Sequence, residues 1–400
     1  MVSQETIAIV KSTAPVLAEH GEAITRVFYQ RLFANHPELK NIFNMTHQQK
    51  GSQPKVLANA VFMYAQYIDQ LDQLGGLVAS ITEKHTSLSI QPAMYPIVGE
   101  NLLAAIGEVL GEAATPAIVN AWGEAYNALA GILINQEEAL YAERAEHEGG
   151  FRGKQAFIVV KKVKESAVIT SFYLKREDGQ PTPTFKPGQY IALTVDIPNT
   201  THQHTRNYSL STSPSKGYLR ISVKQEKGNP DGIVSNYLHE EVEEGATLMV
   251  GMPAGEFFLD ETAAPVVLMA GGVGITPLMS MYETLVEKNN RSVTFIQCAE
   301  HSGVHAFRSA IEKATDDKRK SLVAYSNPLE NDVYDAKGYL TASLLETIPN
   351  LSTCQFYFCG PTAFMKHCLQ LLNGLGIPSA QINYEFFGPA EELAIEPALA

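Results

Sequence analysis

Apolar side chains recur at helical spacing through the first third of the chain and fall into short β-rich runs afterwards. In the first part Ile24, Val27, Phe28 and Leu32 line one face of a helix, among residues rich in Ala, Leu, Glu and Gln. Helix breaks are expected at Pro37, at Gly75-Gly76 and from Pro92 to Pro96. Pro54 suits a first helical turn, where its missing N–H costs little. Thr115-Pro116 has the form of a cap and first helical residue for a long last helix to about Ala145, which Glu148-Gly149-Gly150 ends. The pattern predicts an all-α domain over residues 1–145.

From Arg152 the period changes. Phe157-Ile158-Val159-Val160, Ala167-Val168-Ile169-Thr170, Tyr190 to Val195 and Leu219 to Val223 are short strands parted by Pro and Gly turns. They predict a small antiparallel β-barrel or sandwich over 152–260. After Asp260, strands at Val266–Ala270, Val293–Cys298 and Phe356–Cys359 alternate with helical stretches, the pattern of an α/β domain with a doubly wound parallel sheet over 261–400. The fold class is multidomain.

Four hundred residues exceed one ordinary core, so the length agrees with several domains. With 45% hydrophobic and 18% charged residues the composition is that of a globular protein. A net charge of -13 argues against nucleic acid, whose backbone demands clustered Lys and Arg. The first residues lack a signal-peptide pattern, and the most apolar stretch, Pro265 to Met279, is short and broken by glycines, so neither export nor a membrane span is expected. Four cysteines, Cys298, Cys354, Cys359 and Cys368, lie without Cys-Xaa-Xaa-Cys spacing. That points away from a zinc site or disulfide framework and towards a reducing cytoplasm.

The candidate chemistry of the C-terminal half starts at Arg206-Asn207-Tyr208-Ser209. Arg206 can make a charge-assisted contact with a flavin phosphate, Tyr208 offers an aromatic face, and Ser209 a hydroxyl. Gly271-Gly272-Val273-Gly274-Ile275-Thr276-Pro277 then follows a buried apolar strand. Glycines there let the backbone approach a pyrophosphate, and the next helix points its N–H groups at the anion. Alone, such a turn is equally a structural one. It stands in an ordered series, after Gly188-Gln189-Tyr190 and Gly232 to Leu238, and before Cys359-Gly360-Pro361 and Glu385-Phe386-Phe387-Gly388-Pro389.

This order resembles the ferredoxin-reductase-like FAD and NAD(P)H oxidoreductases. The resemblance implies that Tyr190 and Arg206 to Ser209 hold FAD, that Ser235 helps hold its pyrophosphate, and that Phe387 covers the opposite flavin face. Cys359-Gly360-Pro361 would lie where nicotinamide meets flavin. A core tyrosine and an inert buried thiol are the alternatives for Tyr208 and Cys359. Glu300, just after a strand, would repel a 2′-phosphate and favour NADH over NADPH, although Arg308 downstream opposes that.

In the helical part, His20, His36 and His47 fall in polar, turn-like surroundings, whereas His85 sits beside an apolar stripe of Leu77, Ile81 and Leu88. By itself that describes a core histidine as well as a ligand. Tyr29 lies in an apolar helix face, Phe43 at a helix corner in Asn41-Ile42-Phe43-Asn44, and Gln53 opens the helix before that of His85. With Lys84-His85-Thr86, Tyr95 to Gly99 and Ala121 to Tyr126, this resembles the globin domain of bacterial and fungal flavohemoglobins. The resemblance implies heme b with His85 as proximal iron ligand, Tyr29 and Gln53 as distal donors to dioxygen, Phe43 against the porphyrin, and Tyr95 with Glu137 behind His85. Where that family commonly has Cys, this chain has Phe386.

The implied activity is nitric oxide dioxygenase: NAD(P)H reduces FAD, FAD reduces heme, and dioxygen and nitric oxide become nitrate. Alternatives are a heme-dependent alkyl hydroperoxide reductase and a non-enzymatic oxygen or nitric oxide sensor. No obligate protein partner is implied.

Overall fold

The structure, a computed structural model, describes residues 2–45 and 52–387. By their internal contacts the residues form two compact units, Met1–Lys154 with Thr194–Arg206, and Gln155–Leu193 with Asn207–Ala400.

The N-terminal part of the first unit is built from helices α1 (Gln4–Ser12), α2 (Ala14–Asn35), α3 (Ser52–Tyr67), α4 (Gly75–Ser87), α5 (Met94–Leu110) and α6 (Pro116–Glu146). Ser3 caps α1 by accepting from the Thr6 N–H, and Thr115 caps α6 with Pro116 in first place, as its sequence predicts. Ile24, Phe28 and Leu32, four residues apart on α2, are buried with Tyr64, Ala65, Leu102, Ala105, Ile106 and Trp122. Two expectations need correcting. His20 lies inside α2 and not in a turn, and Pro96 sits in the first turn of α5, so only the segment before Met94 is a break. His47 lies outside the described residues.

The second architecture is a six-stranded sheet of β1 (Lys154–Lys164), β2 (Ile169–Arg176), β3 (Tyr190–Val195), β4 (His204–Ser209), β5 (Leu219–Lys224) and β6 (Thr247–Gly251). Its order is β4-β3-β6-β1-β2-β5, and a Leu210↔Ile221 bridge brings the end of β4 to β5, nearly closing an antiparallel barrel. The strand expected from Ala167 begins at Ile169 instead. Ser166 Oγ accepts from the Val168 and Ile169 N–H groups, which holds Ala167-Val168 in the turn.

The third is a parallel sheet, in the order β10-β9-β8-β7-β11-β12. Its strands are β7 (Val266–Gly271), β8 (Val293–Ala299), β9 (Arg319–Tyr325), β10 (Ala336–Lys337), β11 (Gln355–Cys359) and β12 (Ile382–Glu385). Every residue of β7 is buried, because alternate side chains enter different cores. Val266, Leu268 and Ala270 pack with Leu278 and Leu285 of helix α8 (Ile275–Lys288), and Val267 and Met269 with Met365 and Leu372 of helix α11 (Thr362–Gly374), which follows the short helices α9 (Arg308–Lys313) and α10 (Ala342–Leu345). Two covered faces explain why the run is continuously apolar.

Candidate functional site

His85 is near the end of α4, and a hydrogen-bonded set fixes its imidazole. Nδ1 lies 2.7 Å from Glu137 Oε1 and 3.0 Å from the Tyr95 hydroxyl, and Tyr95 itself donates to Glu137 Oε1 at 2.5 Å. Glu137 is 2% exposed, so its acceptor is withdrawn from water. Burial first, and then the adjoining Glu137 carboxylate, raise the Tyr95 phenol well above its ordinary value, so it stays a donor.

A carboxylate at Nδ1 holds the N–H there and leaves the lone pair on Nε2, the state a metal ligand requires. The His85 side chain keeps 32% exposure, unlike its carboxylate partner. The residues present therefore fit an iron porphyrin held through Nε2.

The supports of this set come from one face of α6. Arg144, two turns beyond Glu137, donates to Glu83 Oε1 at 2.6 Å and to Thr86 Oγ1 at 2.8 Å, on either side of His85. Tyr141, between them, donates to the Ile90 carbonyl at 2.9 Å. Tyr126 donates to the Tyr95 carbonyl at 2.6 Å, and its ring lies where a Cβ on Gly99 would be, 2.5 Å away. Elsewhere in the unit Tyr29 is buried on α2, with the Phe43 ring edge-on at 5.7 Å and Phe33 stacked at 5.9 Å. Gln53 is the second residue of α3 and half-buried.

Arg206, Asn207, Tyr208 and Ser209 are consecutive on β4, and Tyr190 opens β3 next to it. Arg206, Asn207 and Tyr208 are half-buried and Ser209 is buried. Arg206 Nη1 donates to the Thr205 carbonyl at 2.8 Å. Ser235 is in the first turn of helix α7 (Ile233–Glu240), where the N–H groups lack partners within the helix. Its hydroxyl is used locally, donating to the Gly232 carbonyl and accepting from the Glu226 N–H, each at 3.2 Å, so any pyrophosphate contact here falls to the backbone.

The glycines of the second turn have different tasks. Gly272 adopts φ +53 with open space around its Cβ position, which suits approach by a ligand. A Cβ on Gly274 would meet the Cys359 carbonyl oxygen at 2.1 Å, and one on Gly271 or Gly360 would meet the Phe364 ring. These three let the carboxyl ends of β7 and β11 close on each other, where Ala270 pairs with Cys359. Val273 lies in the turn between them, and Ile275, Thr276 and Pro277 form the buried first turn of α8.

Cys359 is wholly buried and its thiol is raised far above the usual range by burial, so this position offers backbone, not a reactive sulfur. All four cysteines are free thiols. Pro361 caps α11, Phe386 packs into the core beneath that helix, and Phe387 is 45% exposed. Gly388 and Pro389 lie outside the described residues.

Beyond the end of β8, Glu300 is exposed. Arg308 is engaged at every nitrogen: Nε on Glu312 at 2.7 Å, Nη1 on the Tyr325 hydroxyl at 3.0 Å, Nη2 on the Val333 carbonyl at 3.1 Å. Behind it His305 is buried between Gln297 Oε1 at 2.6 Å and the Tyr325 hydroxyl at 2.8 Å. Burial and then Arg308 lower this imidazole to about 4, against the raising influence of Glu312 and Asp332. The unfolded chain therefore takes up a proton that the folded one refuses as pH falls from 6.5 towards about 4. Stability should fall across that window and stop changing through this group below it. In urea titrations at stepped pH, His305→Gln should show a shallower fall than the parent chain. Identical slopes would contradict the assignment.

A helical unit holding an imidazole–carboxylate pair, joined in one chain to a barrel and a parallel sheet with a dinucleotide turn, defines a heme-, FAD- and NAD-dependent oxidoreductase. Family comparison agrees: the globin profile matches residues 26–133, the oxidoreductase FAD-binding domain 156–259 and the oxidoreductase NAD-binding domain 268–370. The flavohemoprotein of Halalkalibacterium halodurans is 48% identical over 98% of each chain, and that of Bacillus cereus 50% identical over 98% of this chain and 100% of its own. The crystal structure of a flavohemoglobin from Malassezia yamatoensis, with bound FAD and heme, superposes with a TM-score of 0.84 at 28% identity, covering 97% of this chain and all of that one. The FAD/NAD-binding domain of nitric oxide dioxygenase from Vibrio cholerae matches 59% of this chain and 99% of its own, at 35% identity and TM-score 0.56. The chain belongs to the flavohemoprotein family.

Arg144 and Glu83, and the hydrogen bond from Arg144 to Thr86, were not apparent from the sequence. The seven-residue spacing of Glu137 and Arg144, two turns on one helix face, was the signal available.

Proposed function

We propose that this protein is a nitric oxide dioxygenase of the cytoplasm, with a globin over 1–145, an FAD domain over 152–260 and an NAD(P) domain over 261–400. The observation that carries the reading is the His85–Tyr95–Glu137 set in the same chain as the two reductase domains. When bound, the cofactors would supply the redox chemistry: a two-electron donor in dihydronicotinamide, a flavin able to pass electrons on singly, and an iron able to use dioxygen. The net reaction turns two nitric oxide and two dioxygen molecules into two nitrate ions per dihydronicotinamide, releasing one proton.

His85 would hold the iron through Nε2. Glu137 accepts the imidazole N–H and makes that ligand electron-rich, which favours dioxygen activation over storage. Tyr95 keeps the carboxylate in place. Tyr29 and Gln53 would donate hydrogen bonds to dioxygen, and Phe43 would pack against the porphyrin.

Tyr190 and Arg206 to Ser209 orient FAD, the backbone at Ser235 receives its pyrophosphate, and Phe386 to Pro389 border the flavin. Gly271 to Pro277 cradle the dinucleotide, and Cys359 to Pro361 face the nicotinamide with backbone.

NADH is the preferred reductant on this reading. Glu300 disfavours a 2′-phosphate, and Arg308 already donates to three protein partners. The kcat/KM for NADH should exceed that for NADPH by about tenfold, a factor that takes ~1.4 kcal/mol, within reach of one like-charge contact near a protein surface. Equal values would contradict it.

The deciding experiment is nitric oxide loss with NADH, with and without oxygen. The reading expects fast loss only with oxygen and nitrate in equal amount to the nitric oxide consumed. Loss that ignores oxygen, or yields no nitrate, would contradict it. The attached reductase speaks against a sensor or oxygen store, which has no use for continuous reducing power.

A further inference from the structure

The chain that leaves the flavin strand is gripped by α8, the helix that starts at the dinucleotide turn. Glu283 Oε2 accepts from Thr212 Oγ1 at 2.9 Å and from the Ser213 N–H at 2.8 Å. Its other oxygen, Oε1, accepts from Arg220 Nη2 at 2.8 Å. Ser280, one turn earlier, donates to the Thr212 carbonyl at 2.7 Å. One turn later Glu287 accepts from Ser213 Oγ at 2.5 Å and from Ser215 Oγ at 2.7 Å, and pairs with Lys216 at 2.6 Å. Arg220 is 6% exposed, donates from Nε to Ser211 Oγ at 3.1 Å, and lies over the Phe307 ring at 5.0 Å.

The two ends of the grip differ: the Glu283–Arg220 pair is largely withdrawn from water, whereas the Glu287–Lys216 pair is more exposed. A buried ion pair adds little net stability, because desolvation offsets the attraction, yet it fixes geometry, since a displaced partner would leave an uncompensated charge. Glu283 is nine residues beyond Gly274, roughly 13–14 Å along a straight helix. Only two residues separate Ser209, the end of the flavin motif, from Thr212. A stiff helix and a short extended segment thus join the two cofactor-binding motifs.

We propose that Glu283 is a positioning residue for flavin reduction: by holding Thr212, Ser213 and Arg220 it sets how closely the nicotinamide is presented to the flavin. The inference rests on the reading that β4 holds FAD and that Gly271 to Pro277 hold the dinucleotide. In that step the nicotinamide C–H bond breaks, its electron pair and proton pass to the flavin, and the oxidised dinucleotide remains. Such a transfer tolerates little misplacement, about 1 Å costing on the order of 100-fold.

The test is anaerobic stopped-flow reduction of the flavin by NADH in the full protein. Glu283→Ala should lower the limiting rate constant about 10- to 100-fold and leave the NADH dissociation constant within about twofold, because misplacement weakens the reacting geometry more than the binding. FAD and heme contents should stay at parent levels, and the long-wavelength absorbance of reduced flavin with the oxidised dinucleotide should weaken. Without any reaction, amide exchange at Ser213 should quicken. Glu283→Asp should recover most of the rate.

An unchanged rate in Glu283→Ala overturns the proposal, and so does a slower rate that follows FAD loss in proportion. Should Glu283→Ala fail to fold, Thr212→Val combined with Ser280→Ala keeps the Arg220 pair and should slow reduction in the same direction. A parental rate there overturns the proposal. A parent protein whose flavin neither dinucleotide reduces would overturn the functional reading beneath it.

Discussion

His85→Ala should purify with almost no heme and no Soret band, while its flavin absorbance stays at the parent level. The ligand bond is lost, and Glu137 and Tyr95 keep only each other as partners. Loss of an outer partner alone costs about 10- to 100-fold in metal affinity, so loss of the ligand must cost more. Glu137→Gln separates the two effects. It keeps an acceptor near Nδ1 but removes the charge, so heme should remain and its reduction potential should rise. An unchanged Soret spectrum in His85→Ala would refute the ligand assignment outright.

Arg206→Ala should do the reverse, weakening FAD and sparing heme. A charge-assisted hydrogen bond contributes about 1.5–3 kcal/mol, so FAD affinity should fall roughly 10- to 150-fold. Flavin titration of the FAD-depleted protein reads this directly, and the Soret intensity serves as the internal control. Equal loss of both cofactors would count against the separate assignment of heme and flavin to different residues.

The architecture was legible in sequence because period and composition change together near residue 150. What stayed hidden follows from chemistry. β9 begins Arg319-Lys320-Ser321, and β12 is Ile382-Asn383-Tyr384-Glu385, so both carry the polar side chains of strands with an exposed flank and give no apolar run.

The site was legible in its residue types and less so in its contacts. Glu137 stands in Gln136-Glu137-Glu138, which reads as a solvated helix face, yet it is buried while Glu138 pairs with Arg152 on the surface. Its role came from family resemblance; periodicity alone could not separate it from its neighbour. Glu283 and Glu287 likewise read as the wet face of an amphipathic helix, because the segment that covers them is distant in sequence. The glycine motif announced a close approach without saying of what. At Gly272 the space is open, whereas at Gly274 the approaching group is the protein's own Cys359 carbonyl.

On the proposed function, electrons pass within one chain from a nicotinamide through a flavin to an iron held by His85. The most direct measurement is the visible spectrum of the protein without oxygen, before and after NADH is added. The flavin band should bleach first, followed by conversion of the ferric Soret band to the ferrous one, in the same sample and without added mediator. A flavin that bleaches while the heme stays ferric would contradict it.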